Sequence, residues 1–185
     1  MIRSDAARNR AKVLEAAEAV LDEHGLSARM DEIAHRAGVG VGTLYRHFAT
    51  KEALYQAIVT SRVDLLLEQA TRLQATAAPE TAFFTFFAQI VADAGRKKPL
   101  TDALRGAGID IKAGQTQQQA RMRTAIADLL HNAQRAGTVR SDIGLPEVLA
   151  LLRGASMAAE TGDYPAAVLD QSLAVLFDGL KPTRS

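Results

Sequence analysis

Apolar residues recur at helical spacing along almost the whole chain, and no segment alternates convincingly at period two. This pattern leaves no strand to build a sheet from, so the chain is confined to packed helices. The stripes are also punctuated. Val13, Leu14, Ala17, Val20 and Leu21 lead to Gly25; Met30, Ile33, Ala34 and Ala37 lead to Gly38; Met122, Ile126, Leu129, Leu130 and Ala133 lead to Gly137. A glycine just past a stripe is where a left-handed cap residue belongs. The spacing predicts helices over about 5–24, 30–37, 41–48, 51–74, 81–95, 99–106, 115–136, 146–160 and 163–180, with Ser27 and Thr50 as N-caps of the second and fourth. The break at 75–80, ATAAPE, divides the fourth helix from the fifth.

The 185 residues suffice for one sizeable core or for a small and a medium domain. At 48% hydrophobic and 23% charged residues, the composition is that of a folded globular chain rather than a disordered one. There is no cysteine, hence no disulfide framework and no thiolate metal site. The opening residues MIRSDAARNR lack the apolar centre of a signal peptide, and no run reaches the roughly 18 apolar residues of a membrane span. A soluble, cytoplasmic protein with no membrane partner is the expectation.

Net charge is +1, which is no nucleic-acid signature by itself. Its distribution says more. Residues 1–51 hold eight Lys/Arg and seven Asp/Glu, with Arg3, Arg8, Arg10 and Lys12 entering the first helix before Glu15, Glu18, Asp22 and Glu23. A basic leading end suits phosphates, while the acidic end faces away.

The stretch from Val39 to Lys51, VGVGTLYRHFATK, concentrates outward-reaching polar groups. With the preceding segment it forms two short helices joined by a glycine-containing turn, the helix-turn-helix pattern. On a helix from Val41, Leu44 and Phe48 are four apart and suited to pack against Ile33 and Ala34, while Thr43, Arg46 and His47 lie on another side. Gly40 and Gly42 leave room for a close backbone approach. Thr43 offers a hydroxyl and a methyl to base edges; Tyr45, His47 and Lys51 are long donors suited to phosphate oxygens. A merely polar surface turn is the competing reading of the chemistry alone.

Residues 25–54, GLSARMDEIAHRAGVGVGTLYRHFATKEAL, resemble the DNA-binding domain of the tetracycline-repressor (TetR/AcrR) family of transcriptional regulators. The likeness lies in Ile33-Ala34, Ala37–Val39, GTLYRHF at Gly42–Phe48 and KEAL at Lys51–Leu54, and AGTVRSDI at 136–143 resembles a connection in some members' C-terminal domains. The resemblance implies an all-α fold of about nine helices. A three-helix DNA-binding domain at 1–50 precedes an effector-binding and dimerisation domain at 51–185, and the last two helices pair with their copies. It implies contacts to an operator at Gly42, Thr43, Tyr45, His47 and Lys51, with Arg46 beside them. Many members have a Thr-Thr pair where this chain has Ala28-Arg29, and a basic residue where Asp31 stands; Ser27 and Arg29 are expected to substitute there. The implied partners are an operator duplex, a small-molecule effector and a second copy of the chain, with no cofactor.

In the second domain, Phe83, Phe84, Phe86 and Phe87 put aromatics on two faces of one helix. That calls for two apolar neighbours, or one neighbour and a cavity. The second option points to Phe84 or Phe87 lining an effector pocket opposite Met122 and Ile126, with Arg105, Arg123 or Asp128 as the polar group. Leu149 and Leu152, with Leu169, Leu173 and Leu176, form stripes that suit either intrachain core or a dimer interface.

Other chemistries find no support. The glycines of 38–42 follow a helix, not the strand a dinucleotide fingerprint requires. Glu32-x-x-His35 has metal-ligand spacing but stands alone, and a solvated helix face explains it. Ser156 lacks the full glycine pair of a nucleophile elbow, with Ala158 where the second glycine belongs. No catalytic or metal constellation is expected. Besides a regulator, the readings left are a helical enzyme or metalloprotein, and a small-molecule-binding or interaction protein that no longer binds DNA.

Overall fold

The computed structural model describes residues 2–96 and 116–182. Among these residues there are eight α-helices and no strand. They are α1 (Ile2–His24), α2 (Met30–Ala37), α3 (Val41–His47), α4 (Lys51–Thr76), α5 (Pro79–Arg96), α6 (Thr116–Arg135), α7 (Leu145–Thr161) and α8 (Ala166–Leu180). The all-α expectation is borne out. The helix expected at 99–106 lies outside the described residues.

The local chemistry explains most boundaries. Gly25, Gly38, Gly137 and Gly162 take positive φ of 53°, 66°, 71° and 70°, and three of them directly end helix stripes read from the sequence. Thr50 caps α4 as expected, its Oγ1 accepting from the Ala53 N–H at 3.1 Å. Pro146 sits in the first turn of α7, and the Glu147 carboxylate accepts from the Gly144 N–H at 2.8 Å. Ser27 is a correction. It lies in a 3-10 turn, Gly25–Ser27, and its hydroxyl donates to the His24 carbonyl at 2.6 Å. That turn sets Ser27 too far ahead of Met30. Arg29 is the N-cap of α2, extended and without a side-chain capping bond.

The chain divides into two compact units, the first running through Arg62 and the second from Val63 on, so that α4 contributes to both. The first unit is built on a core of Val13, Leu14, Ala17, Val20 and Leu21 from α1, Ile33 and Ala34 from α2, Leu44 and Phe48 from α3, and Leu54, Tyr55 and Ile58 from α4. Full burial stabilises each Leu, Ile or Val by about 1.5–3 kcal/mol relative to exposure. Polar contacts tie α2 to α1: the Arg36–Glu23 ion pair with both bonds at 2.7 Å, and His24 Nδ1 2.9 Å from a Glu32 carboxylate oxygen. The bond from Arg36 holds the Glu23 carboxyl below its usual range and raises the Arg36 guanidinium.

In the second unit α5 lies against α6 and α7, with Phe83, Phe86, Phe87 and Val91 buried. At residue 95 a Cβ would stand 3.4 Å from the Ala159 carbonyl oxygen, an ordinary contact distance, so α5 and α7 lie close together there. The connection after α6 is ordered by polar bonds. Gln134 donates to the carbonyls of Arg140 and Ile143 at 3.0 and 2.9 Å, and the Arg140 N–H donates to the Leu180 carbonyl at 2.9 Å.

Candidate nucleic-acid interface

The turn between α2 and α3 is set by Gly38. In the left-handed conformation its N–H reaches the carbonyls of Ala34 and His35, and the Val39 N–H follows onto Ala34 at 3.0 Å. Gly40 is extended and serves as N-cap of α3, its carbonyl accepting from Thr43 and Leu44 at 2.8 and 3.1 Å. Seven residues cannot hold a helix on propensity alone. α3 is held by Leu44 and Phe48, which are 0% and 3% exposed within the core of α1 and α2.

That anchoring decides which side chains face outward. Val41 and Tyr45, four residues apart, are 42% and 49% exposed, and Arg46 and Gly42 are exposed. Thr43 and His47 are half-buried. No protein atom outside the local chain comes within 4 Å of where a Gly42 Cβ would stand. Lys51 lies in the first turn of α4, its ammonium 5.6 Å from the centre of the Tyr55 ring. Six of the seven residues singled out from the sequence thus fall on or beside α3.

Arg29 is the exception. It is exposed before α2, and its guanidinium takes both oxygens of Asp31, at 3.1 and 2.9 Å. The reading from sequence missed Val41. Spacing alone sets Val41 on the side of Leu44, three residues on; its exposure comes with its place as the first residue of α3.

In the second unit Phe84, Phe87, Met122 and Ile126 are brought together in one core, Phe87 and Ile126 buried and the other two half-buried. The rings of Phe84 and Phe87 both meet Phe177, at 5.0 and 5.5 Å between centres. Arg105 lies outside the described residues. Leu169, Leu173 and Leu176 line an apolar groove of about 520 Å³ formed mainly by α7 and α8, whose other walls include Leu151, Ala155, Tyr164 and Val168. Leu149 is half-buried and Leu152 buried. Leu151, Met157, Tyr164, Val168 and Val175 are large apolar side chains exposed along this helix pair. Among the described residues no three His, Cys, Asp or Glu are grouped to hold a metal, and no helix is long and apolar enough to cross a membrane.

Comparison with known proteins converges on one family. The profile of the N-terminal domain of bacterial regulatory proteins of the tetR family matches residues 13–58. The C-terminal domain of SbtR-like transcriptional regulators matches residues 78–182. The chain is similar to the crystal structure of a TetR transcription regulatory protein from Mycobacterium vanbaalenii, at 40% identity and a TM-score of 0.84 over 98% of this chain and 100% of that one. It is similar to a TetR transcriptional regulator from Streptomyces coelicolor at 34% identity and a TM-score of 0.79, over 95% and 99% of the two chains. It is 47% identical over 64 residues to an HTH-type transcriptional regulator of Staphylococcus aureus, a match spanning 34% of either chain.

Proposed function

We propose that this chain, which belongs to the TetR family of bacterial regulatory proteins, is a ligand-responsive repressor that binds a palindromic operator as a homodimer. The observation that carries the reading is the division of α3, with Leu44 and Phe48 buried while Val41, Tyr45 and Arg46 face outward around an unobstructed Gly42. An exposed helix face of mixed apolar and donor groups suits the major groove. In this reading Thr43 and Val41 meet base edges, the valine through thymine methyl groups. Tyr45, Arg46, His47 and Lys51 reach phosphates, and Gly42 lets the backbone come close.

The second copy docks on α7 and α8 through the apolar stripe that includes Leu149, Leu169, Leu173 and Leu176, while Leu152, expected there, is buried in the core of its own chain. Support comes from Leu151, Met157, Val168 and Val175, large apolar side chains left exposed on these two helices. A twofold dimer places two copies of α3 in successive major grooves about 34–36 Å apart. The effector belongs to the second unit. Phe84, Phe87, Met122 and Ile126 belong to one apolar core, and a ligand lodged there shifts DNA affinity only by its preference for one state over the other. α4 is unbroken from Lys51 to Thr76, a direct mechanical connection for such a shift. A protein with this task works in the cytoplasm.

The test is recovery of bound fragments from source genomic DNA, followed by a salt titration on the selected duplex. The expected result is one palindromic site whose affinity falls steeply with salt. Failure to retain any duplex makes the chain a ligand-binding or interaction protein instead.

A further inference from the structure

The arginines of the first unit whose side chains are described fall into two groups. Arg29, Arg36 and Arg62 each face a carboxylate, that of Asp31, Glu23 and Glu18 at 2.9, 2.7 and 3.2 Å. Arg10 and Arg46 face none among the described residues. Arg46 belongs to α3 and to the interface already described. Arg10 belongs to α1, and its guanidinium carbon lies 5.4 Å from the centre of the Phe48 ring.

Phe48 is the residue that closes α3, and it is almost fully buried among Leu44, Ile33 and the apolar face of α1. A ring packed that tightly keeps its place. A guanidinium lying over it is therefore fixed relative to the end of α3. A cation–π contact of this kind takes none of the guanidinium's five N–H donors. With no carboxylate facing Arg10 among the described residues, those donors are open to a ligand. Their planar fork matches two oxygens of a phosphate.

We propose that Arg10 is a DNA phosphate contact, held in register with α3 by the Phe48 ring. The proposal rests on the DNA-binding reading above and extends it to a residue outside the helix-turn-helix. It also explains how the interface manages with Arg29 neutralised by Asp31: the cation flanking α3 comes from α1 instead. Because the ring that positions Arg10 also anchors α3, the phosphate contact and the seating of α3 are one mechanical unit.

The experiment uses the full chain and two probes, a labelled random-sequence duplex pool and a duplex selected from that pool by the wild-type protein. Binding is measured across a salt series for Arg10→Ala, Arg10→Lys, Phe48→Leu and, as control, Arg46→Ala. Arg10→Ala is expected to weaken both probes about tenfold, to lower the salt slope by about one per protomer, and to leave the melting temperature unchanged because the residue is exposed. Arg10→Lys is expected to keep the slope but bind more weakly than wild type, since an ammonium is a point charge without the fork. Phe48→Leu is expected to weaken binding in the wild-type background and by a smaller factor in the Arg10→Ala background, where only its effect on the seating of α3 is left. Arg10→Ala with wild-type affinity and slope, beside a weakened Arg46→Ala, overturns the proposal alone. Arg10→Lys equal to wild type overturns the role of the stack. A wild-type chain that shows no salt-dependent duplex binding overturns the DNA-binding reading together with it.

Discussion

Arg29 and Asp31 form a closed pair, with Nε and Nη2 of the arginine on the two carboxylate oxygens at 3.1 and 2.9 Å. Two residues apart, they meet because Arg29 is extended before α2 while Asp31 is already helical. The pair contributes little to stability, because exposed ion pairs are worth about 0–1 kcal/mol. It matters for charge. An arginine close to the α2–α3 element is paired with a carboxylate, and in the proposed DNA-binding reading that carboxylate stands on the side that meets phosphates.

Asp31→Asn is therefore expected to raise duplex affinity. It releases Arg29 and removes a repulsive charge, so binding should tighten by roughly 3–10-fold at low salt and the salt slope should steepen by about one per protomer. Unfolding in urea should shift by less than about 0.5 kcal/mol. Fluorescence anisotropy on a random duplex pool checks the first outcome; weaker or unchanged binding would show that Asp31 lies away from the phosphates.

Gly42 separates fold from function. Its φ is not in the left-handed region, and no neighbour stands within 4 Å of a Cβ there, so nothing in the protein requires glycine. Gly42→Ala should leave the fold intact or stabilise it by up to about 1 kcal/mol through helix propensity. If the backbone of α3 approaches DNA at this point, the added methyl should cost about tenfold or more in affinity. Thermal melts and duplex binding read the two effects separately, and retained affinity would place Gly42 away from the DNA.

Much of this arrangement was legible in the sequence. The glycines at 25, 38 and 137 marked helix ends because the left-handed conformation leaves few alternatives. Leu44 and Phe48 marked the buried side of α3 through their spacing. What escaped was what depends on a short offset or a distant partner. A three-residue 3-10 turn moved Ser27 out of its capping place. The exposure of Val41 needed the packing of α3 to be known. Phe177 closes the aromatic cluster of Phe84 and Phe87 from the other end of the chain, and no periodicity reports a contact over that separation.

Tyr55 lies 2% exposed in the core of the first unit, and its hydroxyl has no hydrogen-bond partner among the described residues. Burial pushes its phenol from 10.0 up to about 12. The neutral form is thus favoured in the fold, and the contribution is fully present below pH 10 and lost as pH rises toward 12. Tyr55→Phe is expected to change stability near neutral pH by no more than about 1 kcal/mol, in either direction, because no bond is broken. It should also abolish this residue's share of the alkaline loss. Urea midpoints of both proteins from neutral pH to about pH 12 test it; a large loss near neutrality would reveal a partner for the hydroxyl.

Val175 is the most exposed large apolar side chain among the described residues, at 64%, and it stands on α8 beside the groove lined by Leu169, Leu173 and Leu176. No intrachain packing accounts for it. In the proposed dimer it is covered by the second copy. Val175→Glu leaves α8 free to form, because the side chain reaches solvent in the single chain. In a dimer it brings two carboxylates into an apolar contact, where desolvation is costly unless they are paired. The mass in solution should fall from twice the 19.8 kDa of the chain to that of one chain, with helicity retained. Operator affinity should fall with it, because a lone copy of α3 grips one half-site. Sedimentation equilibrium and duplex binding on the same preparation decide the matter. A variant that keeps the dimer mass moves the interface elsewhere, and a wild-type chain that sediments as one copy removes the palindromic reading altogether.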